Sequence, residues 1–299
     1  LVHVGGDYEV AVAAHMDEIG FMVKHVTDDG FLKVDALGGW DPRVLRAQRV
    51  RVHTEQGDLT GVIGSVPPHT LSKEEREKED AVEDVVIDLG REDEEVEELV
   101  SVGDLVTMEQ STVQMGDTVT GKALDDRVCL FAMLESAREL EDPDATVHFC
   151  ATVQEEVGLR GAQALGVDVD PDLAVALDVT IASDTAGVAE DKQVTRLGEG
   201  AAVKLKDGSV ITNPKVTRRL RDVAEAEEIE HQLEVLPAGG TDTAAFQKAN
   251  GAKPVGALSI PTRYLHTVTE TAHGDDSRAT IDLLTAFLES EDGGNDYSL

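Results

Sequence analysis

The sequence predicts an α/β fold, a mixed central β-sheet flanked by helices and interrupted by a small β-rich insert. Two observations carry this prediction. Valine- and alanine-rich runs with strand character alternate with stretches of helical period, and that alternation builds a sheet covered by helices. Between residues 37 and 116 the texture changes to short valine-rich segments and to Gly and Pro turns such as GVIGSVPPH, with an acidic tract over residues 74–98 that reads as a solvated face. The domains are accordingly expected at residues 1–36 with 117–291, at 37–116 for the insert, and at 292–299 for a C-terminal tail. No internal repeat of the solenoid kind is visible.

Taken in order, residues 8–14 read as a strand that delivers His15 to the edge of the sheet, and residues 127–140 as a helix. Residues 146–154 deliver Glu155 and Glu156, and residues 173–177 deliver Asp178. A helix over 214–229 starts at Asn213, a good N-cap, followed by Pro214 at the first helical position. Residues 254–260 form a strand ahead of His266, and residues 277–288 a last helix. In open α/β sheets ligands collect at the carboxyl ends of strands. The residues with chemistry fall there.

With 60 acidic residues against 26 basic ones, the net charge of the 299-residue chain is −34. Such a charge excludes nucleic acid as a partner and is relieved by dense counter-ions, which points to a halophilic, salt-rich cytoplasm. An acidic disordered chain is excluded because the acids interrupt well-patterned apolar segments. No run approaches the roughly 18 apolar residues of a membrane span, and no secretion segment precedes the first strand, although the chain begins at Leu1, close to His15. Cys129 and Cys150 lie in patterns that read as buried helix and strand, which suits core packing in a reducing compartment.

Five candidate metal ligands stand beside predicted strand ends: His15 in AAHMDEIG, Asp125 in GKALDDR, Glu156 in QEEVGLRG, Asp178 in ALDVT and His266 in IPTRYLHT. Mixed nitrogen and oxygen donors suit zinc or cobalt(II), whereas an all-oxygen set suits magnesium or calcium. Five ligands exceed one tetrahedral ion but fit two ions about 3.5–4 Å apart that share a carboxylate. Three carboxylates against two divalent cations leave one positive charge, which one hydroxide neutralises. Asp17, two residues past His15, is placed to accept the imidazole's other N–H. Asp126 reads as a first-turn residue of the following helix, since only one of the Asp125–Asp126 pair can readily bridge. Side chains of neighbouring strand residues diverge, so one of Glu155 and Glu156 can bind metal while the other faces the water.

Together AHMDEIGF, GKALDDR, ATVQEEVGLRGA, ALDV, GGTD and IPTRYLHT resemble the tetrahedral aminopeptidases, a family of dinuclear metallopeptidases, over essentially the whole chain. The resemblance implies that Asp125 bridges two divalent ions, that His15 and Asp178 complete one site and Glu156 and His266 the other. It makes Glu155 the general base and Asp17 the residue that orients His15. It further implies peptide substrates, a PDZ-like or barrel-like dimerisation domain at 37–116, and assembly of dimers into a tetrahedral dodecamer. Two departures stand out. Family members carry further residues ahead of the first strand, and GGTDTAAF replaces the more usual GGTDAGA, a change expected to alter the pocket for the substrate's first side chain. Two other readings are weaker. A glycoside hydrolase needs carboxylates on opposite sides of a bond, and a non-catalytic scaffold has no use for the base and all five ligands.

Overall fold

The computed structural model describes residues 1–77 and 81–298; Lys78, Glu79 and Asp80 of the acidic tract and Leu299 of the expected tail lie outside the described residues. The chain divides into one unit of residues 1–17, 112–265 and 269–299 and another of residues 18–111 and 266–268.

In the larger unit the strands Thr146–Thr152, Glu9–His15, Leu173–Ile181 and Val255–Arg263 lie side by side and parallel at the centre of a 10-stranded sheet. Ala201–Lys206 and Glu270–His273 join Val255–Arg263 in antiparallel sense, which makes the sheet mixed. Strand Glu9–His15 is buried over almost its whole length. A strand covered on both faces has no polar face to present, so its sequence is nearly continuous Val and Ala. Val10, Val12 and Ala14 enter a core with helices Leu124–Glu139, Pro214–Ala226 and Gly274–Glu289. Ala11 and Ala13 enter the opposite core, with helices Arg160–Val169 and Thr243–Lys248. The split follows from the two-residue period of a strand. Cys129 and Cys150 are free thiols, one in each core.

Asn213 caps its helix as its sequence indicates, with Oδ1 accepting from the backbone N–H of Lys215 at 2.9 Å and of Val216 at 3.4 Å. Its Nδ2 donates at 2.7 Å to the carbonyl of Tyr297, a buried residue whose hydroxyl donates to Glu291. Residues near the C-terminus are thereby packed into this unit. The strand expected over 146–154 stops at Thr152, and Gln154 takes a left-handed φ of 59° that an extended strand excludes. Glu155 and Glu156 therefore occupy a turn between strand and helix, not the strand itself.

The smaller unit is a closed antiparallel barrel in the order Gly20–Val26, Leu32–Leu37, Val86–Asp88, Gly57–Ile63, Arg49–Thr54, Leu105–Met108. Its first two staves span residues 20–37, almost wholly ahead of residue 37, where the sequence suggests that the insert begins. Phe21, Val23, Leu32 and Val34 point into the barrel core beside Val50, Val52, Ile87 and Val106; alternation predicts such strands without revealing which sheet they join. Helix Asp93–Leu99 exposes Glu94, Glu95, Glu97 and Glu98 while burying Val96, so this part of the acidic tract is a solvated face. Among the described residues no helix is long and apolar enough to cross a membrane.

One polar group is buried in the mixed sheet at full depth. Lys204 donates through Nζ to Glu234 Oε1, which also accepts the Thr180 hydroxyl at 2.8 Å, and Lys204 and Glu234 are both fully buried. Removing one partner strands the other charge, so Lys204→Ala is expected to cost about 3–5 kcal/mol, with much of the loss recovered in Lys204→Met/Glu234→Leu. Urea unfolding of the two variants checks this.

Candidate metal centre

His15 ends its strand at 2% exposure, with Nδ1 3.1 Å from the carbonyl of Asp17 and 3.4 Å from Asp17 Oδ1. A carbonyl oxygen only accepts, so the proton sits on Nδ1 and Nε2 turns to the carboxylates. Nε2 lies 3.2 Å from Asp125 Oδ1 and 4.0 Å from Asp178 Oδ1. Asp125 and Asp126 occupy an irregular first turn of helix Leu124–Glu139, with non-helical backbone angles and a cis peptide between them. Both are buried, and both point at the group instead of one alone. Asp126 Oδ2 accepts the backbone N–H of His15 at 3.2 Å, while its Oδ1 is buried without a hydrogen-bond partner. Asp178 sits inside strand Leu173–Ile181, three residues before its end, and is buried.

His15, Asp125, Asp126 and Asp178 each bring a ligand atom to within 4.8 Å of the others, and Asp125 and Glu156 approach one another equally closely. Asp17 closes the other side, where its two carboxylate oxygens accept the backbone N–H groups of Glu155 and Glu156, each at 3.2 Å. One residue thus fixes His15, through its carbonyl, and through its carboxylate the turn that holds the two glutamates. Sequence reasoning missed Glu270, a buried residue whose Oε2 accepts the N–H of Asp125 at 3.0 Å. The available signal is a lone acid in the otherwise small-residue segment TETAH, where it opens strand Glu270–His273.

His266 lies by its contacts in the barrel unit, in a left-handed conformation at φ 59° with Nδ1 2.6 Å from the carbonyl of Gly39. A Cβ on Gly39 would come within 3.2 Å of that ring, which accounts for a glycine at the second position of GGW. In the GGTDTAAF segment Thr243, Ala244, Ala245 and Phe246 are buried in the larger unit. The side chains of Ala244, Ala245 and Phe246 fill a core.

Electrostatics show what the group requires. Burial, with the charges of nearby carboxylates, holds Asp126 and Asp178 well above the ordinary carboxylate range. Glu155 is pushed up to about 8 by burial and by Asp242, Glu156 and Asp125. Burial works against the charged form of His15, yet Asp125, Asp17, Asp126 and Asp178 raise its affinity for a proton. Asp17 is the exception, because its bonds to His15 and to two backbone N–H groups outweigh burial and keep it ionised. Clustered carboxylates with an imidazole and an orphaned buried oxygen form a donor set that divalent cations fit. Cys129 beside Asp126 takes no such part, since burial and that carboxylate push its thiol up and keep it protonated.

The sequence profile of the M42 glutamyl aminopeptidase family matches residues 1–283. The lysyl aminopeptidase of Pyrococcus furiosus is 37% identical over 291 residues, covering 95% of this chain and 82% of that protein. Among solved structures, an aminopeptidase from the archaeon Desulfurococcus kamchatkensis superposes with a TM-score of 0.92 at 40% identity, over 97% of this chain and 82% of that one. The TET1 peptidase of Pyrococcus horikoshii, described as able to assemble into a tetrahedron or a large octahedral shell, superposes with a TM-score of 0.86 at 36% identity, over 96% and 85%.

The raised carboxylates and His15 all bind protons more tightly in the folded chain than in the unfolded one. Metal-free protein should therefore lose stability as pH rises from about 5 to 8, the window between the ordinary value of Glu155 and its shifted one. Asp17 has the opposite sign but titrates below this window. A melting midpoint that falls on the order of 5 °C across the window, and that flattens when zinc or cobalt is added, is the expected calorimetric result.

Proposed function

Because the chain belongs to the M42 glutamyl aminopeptidase family and is a peptide hydrolase, we propose that it is a metal-dependent aminopeptidase that removes N-terminal residues from peptides. The observation that carries the reading is the buried group of His15, Asp125, Asp126 and Asp178, which repels itself in the absence of cations. His15, Asp125, Asp178, Glu156 and His266 are assigned as the residues that would hold two divalent ions, zinc or cobalt. Bound there, such ions supply a Lewis acid for the scissile carbonyl and a lowered pKa for water.

The remaining chemistry belongs to side chains of this chain. Glu155 takes a proton from the attacking water and returns it to the leaving amine, a role suited to a carboxylate whose proton affinity has been raised toward neutrality. Asp17 orients His15 through the imidazole and Glu155 through its backbone N–H. The other carboxylates of the site restrict cleavage to the chain end by attracting a free α-ammonium group. Self-association follows the lead of the Pyrococcus horikoshii peptidase, so we assign this chain to dimers, built through the barrel unit, and to a tetrahedral dodecamer. The charge of −34 fits a salt-rich cytoplasm, where dense counter-ions screen it.

Glycoside hydrolysis lacks support, because Glu155 and Glu156 are consecutive residues of one turn whose backbone N–H groups both bond to Asp17, whereas that chemistry needs carboxylates on opposite sides of a bond. In molar KCl with aminoacyl chromogenic amides, Glu155→Gln should retain its metal and lose about 10²–10⁴-fold in kcat. Glu156→Gln should lose metal as well, measured by elemental analysis. An active Glu155→Gln enzyme would refute the assignment.

A further inference from the structure

A second set of buried polar groups, running from Thr180 to Asp242, is not used by the chemistry above. It starts two residues after Asp178. The Thr180 hydroxyl donates to Glu234 Oε1 at 2.8 Å, Lys204 donates to the same oxygen, and Lys204 Nζ stands 4.0 Å from Asp207 Oδ2. Asp207 in turn reaches the GGTD segment, where the Thr241 hydroxyl is 3.4 Å from Asp207 Oδ2 and 2.8 Å from the Thr243 hydroxyl. The backbone reinforces this contact, with Gly208 N donating to the Gly239 carbonyl at 3.0 Å. A Cβ at Gly208 would lie 2.6 Å from that oxygen, so only glycine allows the approach.

From GGTD the path returns to the metal centre. Asp242 Oδ2 accepts the hydroxyl of Thr152, and that hydroxyl stands 3.3 Å from the carbonyl of Ala14, the residue before His15. Thr152 is the last residue of the strand that precedes the Glu155 turn and is His15's direct partner across the parallel ladder. Asp242 Oδ1 is buried with no hydrogen-bond partner, and Thr152 and Asp242 are 2% and 3% exposed. A buried carboxylate supported by one hydroxyl is costly, since each missing partner leaves the group desolvated without recompense. Packing alone would be served by an apolar residue at the start of this short helix. The carboxylate makes sense as a clasp.

We propose that Thr152 and Asp242 are positioning residues, a buried pair that sets the Glu155 turn against the His15 strand and is itself anchored through Asp207, Lys204 and Glu234 to the strand of Asp178. Geometry at the proton-transferring group is worth far more to turnover than to binding, because a displacement of about 1 Å can cost 10²-fold in rate. Loosening the clasp should therefore lower kcat and spare KM. The inference rests on the metallo-aminopeptidase reading.

The test is a double-mutant cycle on the metal-loaded full chain, with kcat, KM and bound metal measured for each member. The unaltered chain comes first: if it turns over no peptide amide, the parent reading falls and this inference with it. If it is active, Thr152→Val, which keeps the shape and removes the hydroxyl, should lower kcat about 10- to 100-fold with KM and metal content close to those of the unaltered chain. Thr152→Ser should restore most of the loss. Asp242→Ala should match Thr152→Val, and the double variant should be no slower than either single one, because both remove the same contact. Where valine prevents folding, Asp242→Ala carries the test, with the same drop in kcat expected at unchanged KM and metal content and an unchanged kcat overturning the proposal. Losses that multiply overturn the proposal, as does a Thr152→Ser enzyme as slow as Thr152→Val. An unchanged kcat with only a lower melting point, or loss of metal along with rate, also overturns it.

Discussion

Mutual repulsion among carboxylates that have been taken out of water is the constraint on which the larger unit turns. Asp125, Asp126 and Asp178 are all buried against His15, and each would be cheaper to place at the surface. The surrounding chain over-determines their positions. Glu270 holds the backbone of Asp125, Asp126 holds the backbone of His15, and Asp17 holds both the imidazole and the Glu155–Glu156 turn. Acids are used here to fix other acids. Without a cation the raised proton affinities of Asp126 and Asp178 relieve part of that repulsion, and the hydrogen bonds to the surrounding backbone hold the group in place.

The sheet explains how residues 163 positions apart in sequence, from His15 to Asp178, come to share one site. Parallel strands place equivalent ends together, and the almost wholly buried, Val- and Ala-rich sequences of Glu9–His15 and Leu173–Ile181 leave these strands no freedom to sit at an edge. Asp178 stands inside its strand and Glu155 beyond the end of another, so the ladder alone does not align them. The turn at Gln154 and the irregular start of helix Leu124–Glu139 supply the difference. Beneath them, the buried polar path from Thr180 to Thr152 connects the same strands a second time.

Much of this was legible in the sequence, for identifiable physical reasons. His15, Asp178 and the two glutamates follow apolar runs whose pattern marks strands, and Asn213 followed by Pro214 marks a helix start that the structure contains. Long-range pairing was not legible. The staves Gly20–Val26 and Leu32–Leu37 have the same alternation whichever sheet they join, so the barrel begins earlier than composition suggests. Asp126 resembles any acid in the first turn of a helix, and Glu270 any isolated acid, until the fold brings Asp125 between them. The role of Thr152 is equally silent in sequence, because a threonine at a strand end is ordinary until its partner is a buried aspartate.

Anomalous diffraction from crystals grown with cobalt, collected on both sides of the cobalt edge, probes the central claim most directly. The account predicts a strong peak within bonding distance of His15 Nε2, Asp178 and Asp125, with a second peak sharing Asp125 on the side of Glu156. Absence of cobalt from this group at saturating concentration, with the carboxylates left protonated and in place, would contradict it.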